Sequence, residues 1–133
     1  MLLTSGSVLR RVSVAVAFIL ISVSAQAAGL QPFDAKAFQA AQASGKPVLV
    51  EIHADWCPTC KAQVPILDKL ASEPNFANLA RFRVDFDTQK SVVKGFGARY
   101  QSTLVLFKGK AELARSVGET SEDKIRAMLS KAI

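Results

Sequence analysis

The tightest constraint on this chain is a junction between two kinds of residue pattern. Val48, Leu49, Val50 and Ile52 form a nearly continuous apolar run within Lys46–His53. Such a run suits a central strand covered on both faces. Just beyond it stands Cys57-Pro58-Thr59-Cys60, and a helical pattern continues to about Ser72. Pro58 fits the first position of a helix, where its missing N–H costs nothing. Val64, Leu67 and Leu70 mark an apolar face at helical spacing. Pro65 lies inside that helix, removes a hydrogen bond to Lys61 and is expected to kink it. A covered strand that turns at once into a helix calls for a sheet with helices laid on it.

The flanking segments extend this pattern. Asp34 is placed as the N-cap of a first helix, with Phe33 and Phe38 as its hydrophobic staple. Gly45 is placed to end that helix. Arg81–Phe86 reads as a second strand with Phe82, Val84 and Phe86 on one face, followed by a short helix from Thr88 to about Phe96. Thr103–Phe107 is a third strand. Lys108-Gly109-Lys110 turns it back into Ala111–Val117 as a hairpin. Thr120 and Asp123 make a capping-box pattern for a last helix that buries Ile125, Met128 and Leu129. The order α-β-α-β-α-β-β-α predicts an α/β fold, a central mixed sheet flanked by helices on both faces.

The first 27 residues read as a leader rather than as part of this fold. Arg10 and Arg11 precede an apolar stretch, Val12–Val23, and Ala25-Gln26-Ala27 is an A-x-A cleavage pattern. This is the layout of a secretory signal peptide, with the cut before Ala28 and one domain over 28–133. The apolar stretch is short for a membrane span. An uncleaved anchor is the alternative. No cysteine follows the stretch to carry a lipid anchor. The formal charge of +6 is scattered over the sequence. A solvated surface explains that better than a nucleic-acid footprint.

The chain has two cysteines. In an exported protein these would ordinarily form one structural disulfide. A bridge closing so small a loop removes little chain entropy, so chemistry explains it better than stability. Cys57 stands at a helix N-terminus, where unpaired N–H groups and the helix dipole favour a thiolate. Cys60 is one turn further in. The pair therefore divides into an attacking thiol, Cys57, and a resolving thiol, Cys60. Two thiolates also supply half of a tetrahedral metal site. His53 is the only histidine, so a closed site within one chain is not expected. A two-sulfur copper(I) site, or a cluster shared by two chains, stays open as a metal-assembly alternative. A binding protein with incidental cysteines is a third possibility. No organic cofactor is needed, since the cysteines are themselves a redox group.

Trp56-Cys57-Pro58-Thr59-Cys60-Lys61, followed by Pro65-Ile66-Leu67-Asp68, resembles the thioredoxin superfamily. Val84-Asp85, Gly97, the Thr103–Phe107 strand with its Lys-Gly turn, and Val117-Gly118 fit the same pattern. The resemblance implies the thioredoxin fold and dithiol–disulfide exchange. It places Trp56, Pro58, Thr59, Ser102, Thr103 and Gly118 around the site, facing the substrate.

Two residues depart from the family pattern. Glu51 stands where thioredoxins carry a buried aspartate. A carboxylate on a covered strand should have a raised pKa, and Glu51 is expected to exchange a proton with Cys60 through water. The competing reading is a carboxylate neutralised by Arg81 or Arg83. Glutamate here looks like the membrane-tethered or exported thioredoxins linked to cytochrome c maturation. Ser102 stands where the family has a cis-proline. A cis bond before a non-proline costs about 2.5–4 kcal/mol, so a trans Gln101–Ser102 bond is predicted. The Ser102 hydroxyl is expected either to meet the Cys57 thiolate or to cap its loop.

The combination implies a periplasmic reductase of protein disulfides. An exported reductant must draw electrons across the membrane, because the periplasm is kept oxidising, and the resemblance implies a membrane thiol transporter of the cytochrome-biogenesis type as the donor. Substrates would be oxidised protein thiols such as those of apocytochrome c or a copper-site assembly protein, and the chain is expected to act as a monomer. Oxidase or isomerase activity is the alternative. Against it stand the lack of room for an inserted helical domain and the lack of a histidine between the cysteines.

Overall fold

The structure is a computed structural model and describes residues 29–133. The expected leader, 1–27, and its cleavage site lie outside the described residues. Five strands form one sheet: β1 (Leu30–Pro32), β2 (Pro47–His53), β3 (Ala80–Asp85), β4 (Thr103–Lys108) and β5 (Ala111–Val117). Four helices accompany them: α1 (Ala35–Ala43), α2 (Pro58–Ala71), α3 (Lys90–Gly95) and α4 (Glu122–Leu129). The spatial order is β1-β3-β2-β4-β5. β1 and β2 run parallel to β3, whereas β4 runs antiparallel to β2 and to β5. This is the mixed sheet with helices on both faces that the residue pattern predicts.

β2 lies between β3 and β4, and six of its seven residues are buried. Its alternate side chains divide the core. Val48, Val50 and Ile52 join Phe82, Val84, Val93, Val105 and Phe107 on the face covered by α1 and α3. Leu49 joins Leu67, Leu70, Leu104, Ile125 and Leu129 on the face covered by α2 and α4. Both faces are therefore dry, which explains the unbroken apolar run of β2.

The start of α1 follows the predicted scheme. The Asp34 carboxylate accepts the Ala37 N–H at 2.8 Å, and the Phe33 and Phe38 rings lie 5.5 Å apart. Gly45, just past the helix, has φ +74°, a conformation open to glycine without strain. Four expectations are corrected. β1 precedes α1 and has no counterpart in the predicted order; three residues ending in proline are too few to show an alternation. β3 ends at Asp85, so Phe86 stands just past it while still packing on the same core. The helix expected from Thr88 is confined to Lys90–Gly95. Finally, the cap of α4 is Ser121, whose hydroxyl accepts the Lys124 N–H, and not Thr120.

Candidate active site

The end of β2 delivers the cysteines. Ala54 is buried and accepts the Cys57 N–H at 3.1 Å, so the chain folds back directly into α2. Cys57 is itself the N-cap of α2. Its backbone is extended and its sulfur accepts the Cys60 N–H at 3.1 Å. A sulfur thus does the work that a Ser or Asp oxygen does at an ordinary N-cap. Pro58 occupies the first turn, where no N–H is required. Both cysteines are free thiols, and both side chains are buried.

The two thiols differ electrostatically. Burial pushes Cys57 up. The Cys60 thiol, the Ser102 hydroxyl and the N–H groups of Cys60 and Thr59 outweigh that, and its pKa falls below the ordinary thiol value. Burial pushes Cys60 up too, and its role as donor to Cys57 raises it further. Cys57 is therefore the better nucleophile, and Cys60 keeps its proton until Cys57 has reacted.

Ser102 lies against both sulfurs. Its Oγ is 3.3 Å from Cys57 Sγ and 3.4 Å from Cys60 Sγ. Among the described residues there is no cis peptide bond, so the bond before Ser102 is trans as predicted. Ser102 has φ +61°, and it is the one non-glycine residue described with a positive φ. Holding a serine there costs about 1–3 kcal/mol, so neighbouring bonds must impose it. Its N–H donates to the Ile52 carbonyl at 2.8 Å, and its carbonyl accepts the Gly118 N–H at 3.0 Å. Gly118, at φ +68°, turns the chain after β5 so that this bond can form. Of the two roles expected for the Ser102 hydroxyl, the contact with Cys57 is the one found, and the loop is capped by Thr103, whose hydroxyl donates to the Tyr100 carbonyl at 2.6 Å.

Trp56 is exposed beside Cys57, and its indole N–H donates to Asp87 at 2.7 Å. The ring is thus held at the rim of the site rather than in the core. Thr59 is half-buried and contributes its backbone N–H to the sulfur's surroundings. His53 pairs with the exposed Asp55 at 3.1 Å, and no hydrogen bond given for its ring reaches a sulfur. Among the described residues, no group of three or more His, Cys, Asp or Glu side chains gathers as metal ligands.

Glu51 points into the face covered by α2. Its Oε1 accepts from Arg81 Nε at 2.6 Å, and Arg83 lies 3.8 Å from Oε2. Arg81 also reaches Asp68 on α2 at 2.8 Å, so two strands and a helix share one ionic chain. Burial raises the Glu51 pKa, while Arg81 and then Arg83 pull it back only in part. The carboxylate therefore holds a proton more readily than an exposed glutamate does.

One participant, Gln63, is not evident from the residue pattern alone. Val64 is only half-buried; the buried line of α2 is Cys60, Gln63, Leu67 and Leu70. Gln63 is thus a polar residue within an apolar stripe that begins at a catalytic cysteine, and this spacing was the available signal. Its amide donates to the carbonyls of Ser102 and Glu119.

Comparison with known proteins agrees with this geometry. The Thioredoxin family model matches residues 30–131. The chain is 36% identical to thioredoxin of Chlamydia muridarum over 84 residues, covering 63% of this chain and 80% of that protein. It is 31% identical to thioredoxin of Mycobacterium tuberculosis over 110 residues, covering 83% and 94%. Among solved structures, Trxlp from Edwardsiella tarda superposes with a TM-score of 0.74 at 44% identity, covering 76% of this chain and 98% of that one. A match that spans nearly every described residue and encloses a capped, asymmetric cysteine pair leaves one family: the chain belongs to the thioredoxins and is a thiol–disulfide oxidoreductase.

Proposed function

We propose that the protein is exported to the periplasm and there reduces protein disulfides. The observation that carries this direction is the makeup of the turn between the sulfurs. Pro58 and Thr59 place no cation there, and N–H groups, a thiol and a hydroxyl alone steady the Cys57 charge. Strong oxidants are strong because their reduced form is heavily stabilised. Milder stabilisation leaves a dithiol that gives its electrons away. The β3–β4 connection, which holds only the six-residue α3, also leaves no room for an inserted helical domain.

In the reaction, Cys57 Sγ attacks one sulfur of a substrate disulfide. A mixed disulfide forms and the first substrate sulfur leaves as a thiolate. Cys60 then loses its proton and attacks Cys57 Sγ. The Cys57–Cys60 disulfide forms, the second substrate sulfur leaves, and two electrons have passed to the substrate. Glu51 is the proposed acceptor of the Cys60 proton through water, because burial raises its proton affinity. Trp56 and the Ser102–Thr103 backbone offer the surface on which the substrate chain lies.

A reductant in an oxidising compartment needs electrons from across the membrane. The donor proposed is a membrane thiol transporter of the cytochrome-biogenesis type, with apocytochrome c thiols among the substrates. The test is the redox state of the pair in the exported protein, trapped by acid quenching and thiol alkylation. A reductant is found mostly as the dithiol and becomes oxidised when the donor is removed. A pair found mostly as the disulfide with the donor present would overturn the proposal. The chain is also 34% identical over 102 residues to protein disulfide-isomerase erp38 of Neurospora crassa, a match covering 28% of that protein. That likeness favours disulfide reshuffling as a second reading. Recovery of activity by a scrambled disulfide protein would mark it.

A further inference from the structure

Gln63 is 4% exposed, yet its side chain is a primary amide. A buried amide is costly unless its hydrogens find partners. Here Nε2 donates to the Ser102 carbonyl at 3.2 Å and to the Glu119 carbonyl at 2.9 Å. One side chain on α2 thereby ties together the loop before β4 and the turn after β5. The position is one turn beyond Cys60, on the buried line of the helix.

Ser102 is the residue that needs such a tie. Its left-handed backbone is unfavourable for a side chain bearing Cβ and persists only where surroundings over-determine it. β2 holds its N–H through Ile52, the turn at Gly118 holds its carbonyl, and Gln63 holds that same carbonyl from the helix side. With the backbone so fixed, the hydroxyl lies 3.3 Å from Cys57 Sγ and 3.4 Å from Cys60 Sγ. We propose that Gln63 is a positioning residue of the exchange reaction, whose amide locks Ser102 in the backbone conformation that sets its hydroxyl against Cys57 and Cys60. The inference rests on the dithiol chemistry and is independent of the direction of electron flow.

Lys61, next to Cys60 on α2, is exposed, and four acidic or basic groups on the elements flanking the site have their own partners. Glu51 is held by Arg81, His53 by Asp55, Asp87 by Trp56, and the Glu119 carboxylate by the Ser121 N–H. Gln63 donates to none of these side chains, and the Ser102→Ala background below separates an effect carried by Ser102 from one carried by the Glu119 turn. The direct partner that titrates with Cys57 is Cys60 itself, and it is present in every variant below.

The experiment is a double-mutant cycle read by the ultraviolet absorbance of the Cys57 thiolate as a function of pH. Gln63→Met keeps the length of the side chain and removes both donors. It is expected to reduce the thiolate fraction about fivefold at pH values below the Cys57 titration, as loss of one hydrogen bond would. Ser102→Ala is expected to reduce it at least as much. In the Ser102→Ala background, Gln63→Met should then change nothing further. A folded Gln63→Met protein that titrates like the wild type would overturn the inference. So would a Gln63→Met effect that persists in full without the Ser102 hydroxyl. If Gln63→Met does not fold, Gln63→Leu continues the apolar line to Leu67 and takes its place. Failure of both to fold while Ser102→Ala folds would make Gln63 a stability residue and refute the positioning role.

Discussion

Replacing Ser102 with alanine removes one oxygen and leaves the rest of the site intact. In the wild type that oxygen lies 3.3 Å from Cys57 Sγ and 3.4 Å from Cys60 Sγ. It carries a single proton, so it can donate to only one sulfur at a time, and the Cys57 thiolate is the stronger acceptor. A hydrogen bond to a charged group contributes about 1.5–3 kcal/mol. The competing second sulfur places this one at the low end, about 1.5 kcal/mol, which is a factor of about ten in thiolate population. Cys57 keeps its bond from the Cys60 N–H at 3.1 Å, so the loss does not grow beyond that. Reactivity falls less than the thiolate population does. A more basic thiolate is intrinsically more nucleophilic, by about threefold for a tenfold change in basicity. The net expectation is about a threefold slower attack on a small aromatic disulfide at pH values below the Cys57 titration. Thiolate absorbance and stopped-flow reduction would give the two numbers separately. Ser102→Gly should show the same thiolate loss while being more stable than Ser102→Ala by about 1 kcal/mol, because glycine accepts φ +61° freely. If the thiolate population of Ser102→Ala matched the wild type, the hydroxyl would not be a donor to Cys57, and the electrostatic description of the site would be wrong.

Four further outcomes are expected. Glu51→Gln should remove a pH-dependent step in the second half-reaction, and an unchanged pH–rate profile would exclude Glu51 as the acceptor of the Cys60 proton. The same variant tests linkage: the folded Glu51 pKa lies above its ordinary 4.5, so its contribution to stability is full below 4.5 and is lost as pH rises through the folded value. Urea titrations across that window should show this slope in the wild type and not in Glu51→Gln. Arg81→Met should cost about 3 kcal/mol in urea unfolding, because it leaves the Glu51 carboxylate buried without its closest partner; a neutral result would mean that the pair is dispensable. Ser121→Ala should cost about 1 kcal/mol and Thr120→Ala much less, since Ser121 carries the cap of α4; equal losses in thermal unfolding would contradict that assignment.

The parts of this molecule legible in its residues are those where one local rule suffices. The apolar run of β2, the Asp34 cap with its Phe33–Phe38 staple and the hairpin turn at Gly109 each follow from neighbours in the chain. The cysteine pair was legible too, because Cys57 becomes a cap only where a strand meets a helix. What escaped depends on distant partners. β1 is a strand only because β3 lies beside it, with Leu30 opposite Arg81 and Pro32 opposite Arg83. The bond between Arg81 and Asp68 crosses from sheet to helix. The left-handed backbone of Ser102 is imposed by Ile52, Gly118 and Gln63, which stand far from it in sequence. Which of the two expected roles Ser102 takes is decided only in the folded loop, where its hydroxyl faces the sulfurs and Thr103 caps the loop.

The most direct test of the proposed role is the reduction potential of the Cys57–Cys60 pair, measured by equilibration against glutathione or dithiothreitol. A value near that of thioredoxin, about −270 mV, is expected for a site whose thiolate is steadied only by N–H groups, a thiol and one hydroxyl. A value near about −120 mV, as in a strong oxidant, would contradict the assignment as a reductase and make this a disulfide-forming site.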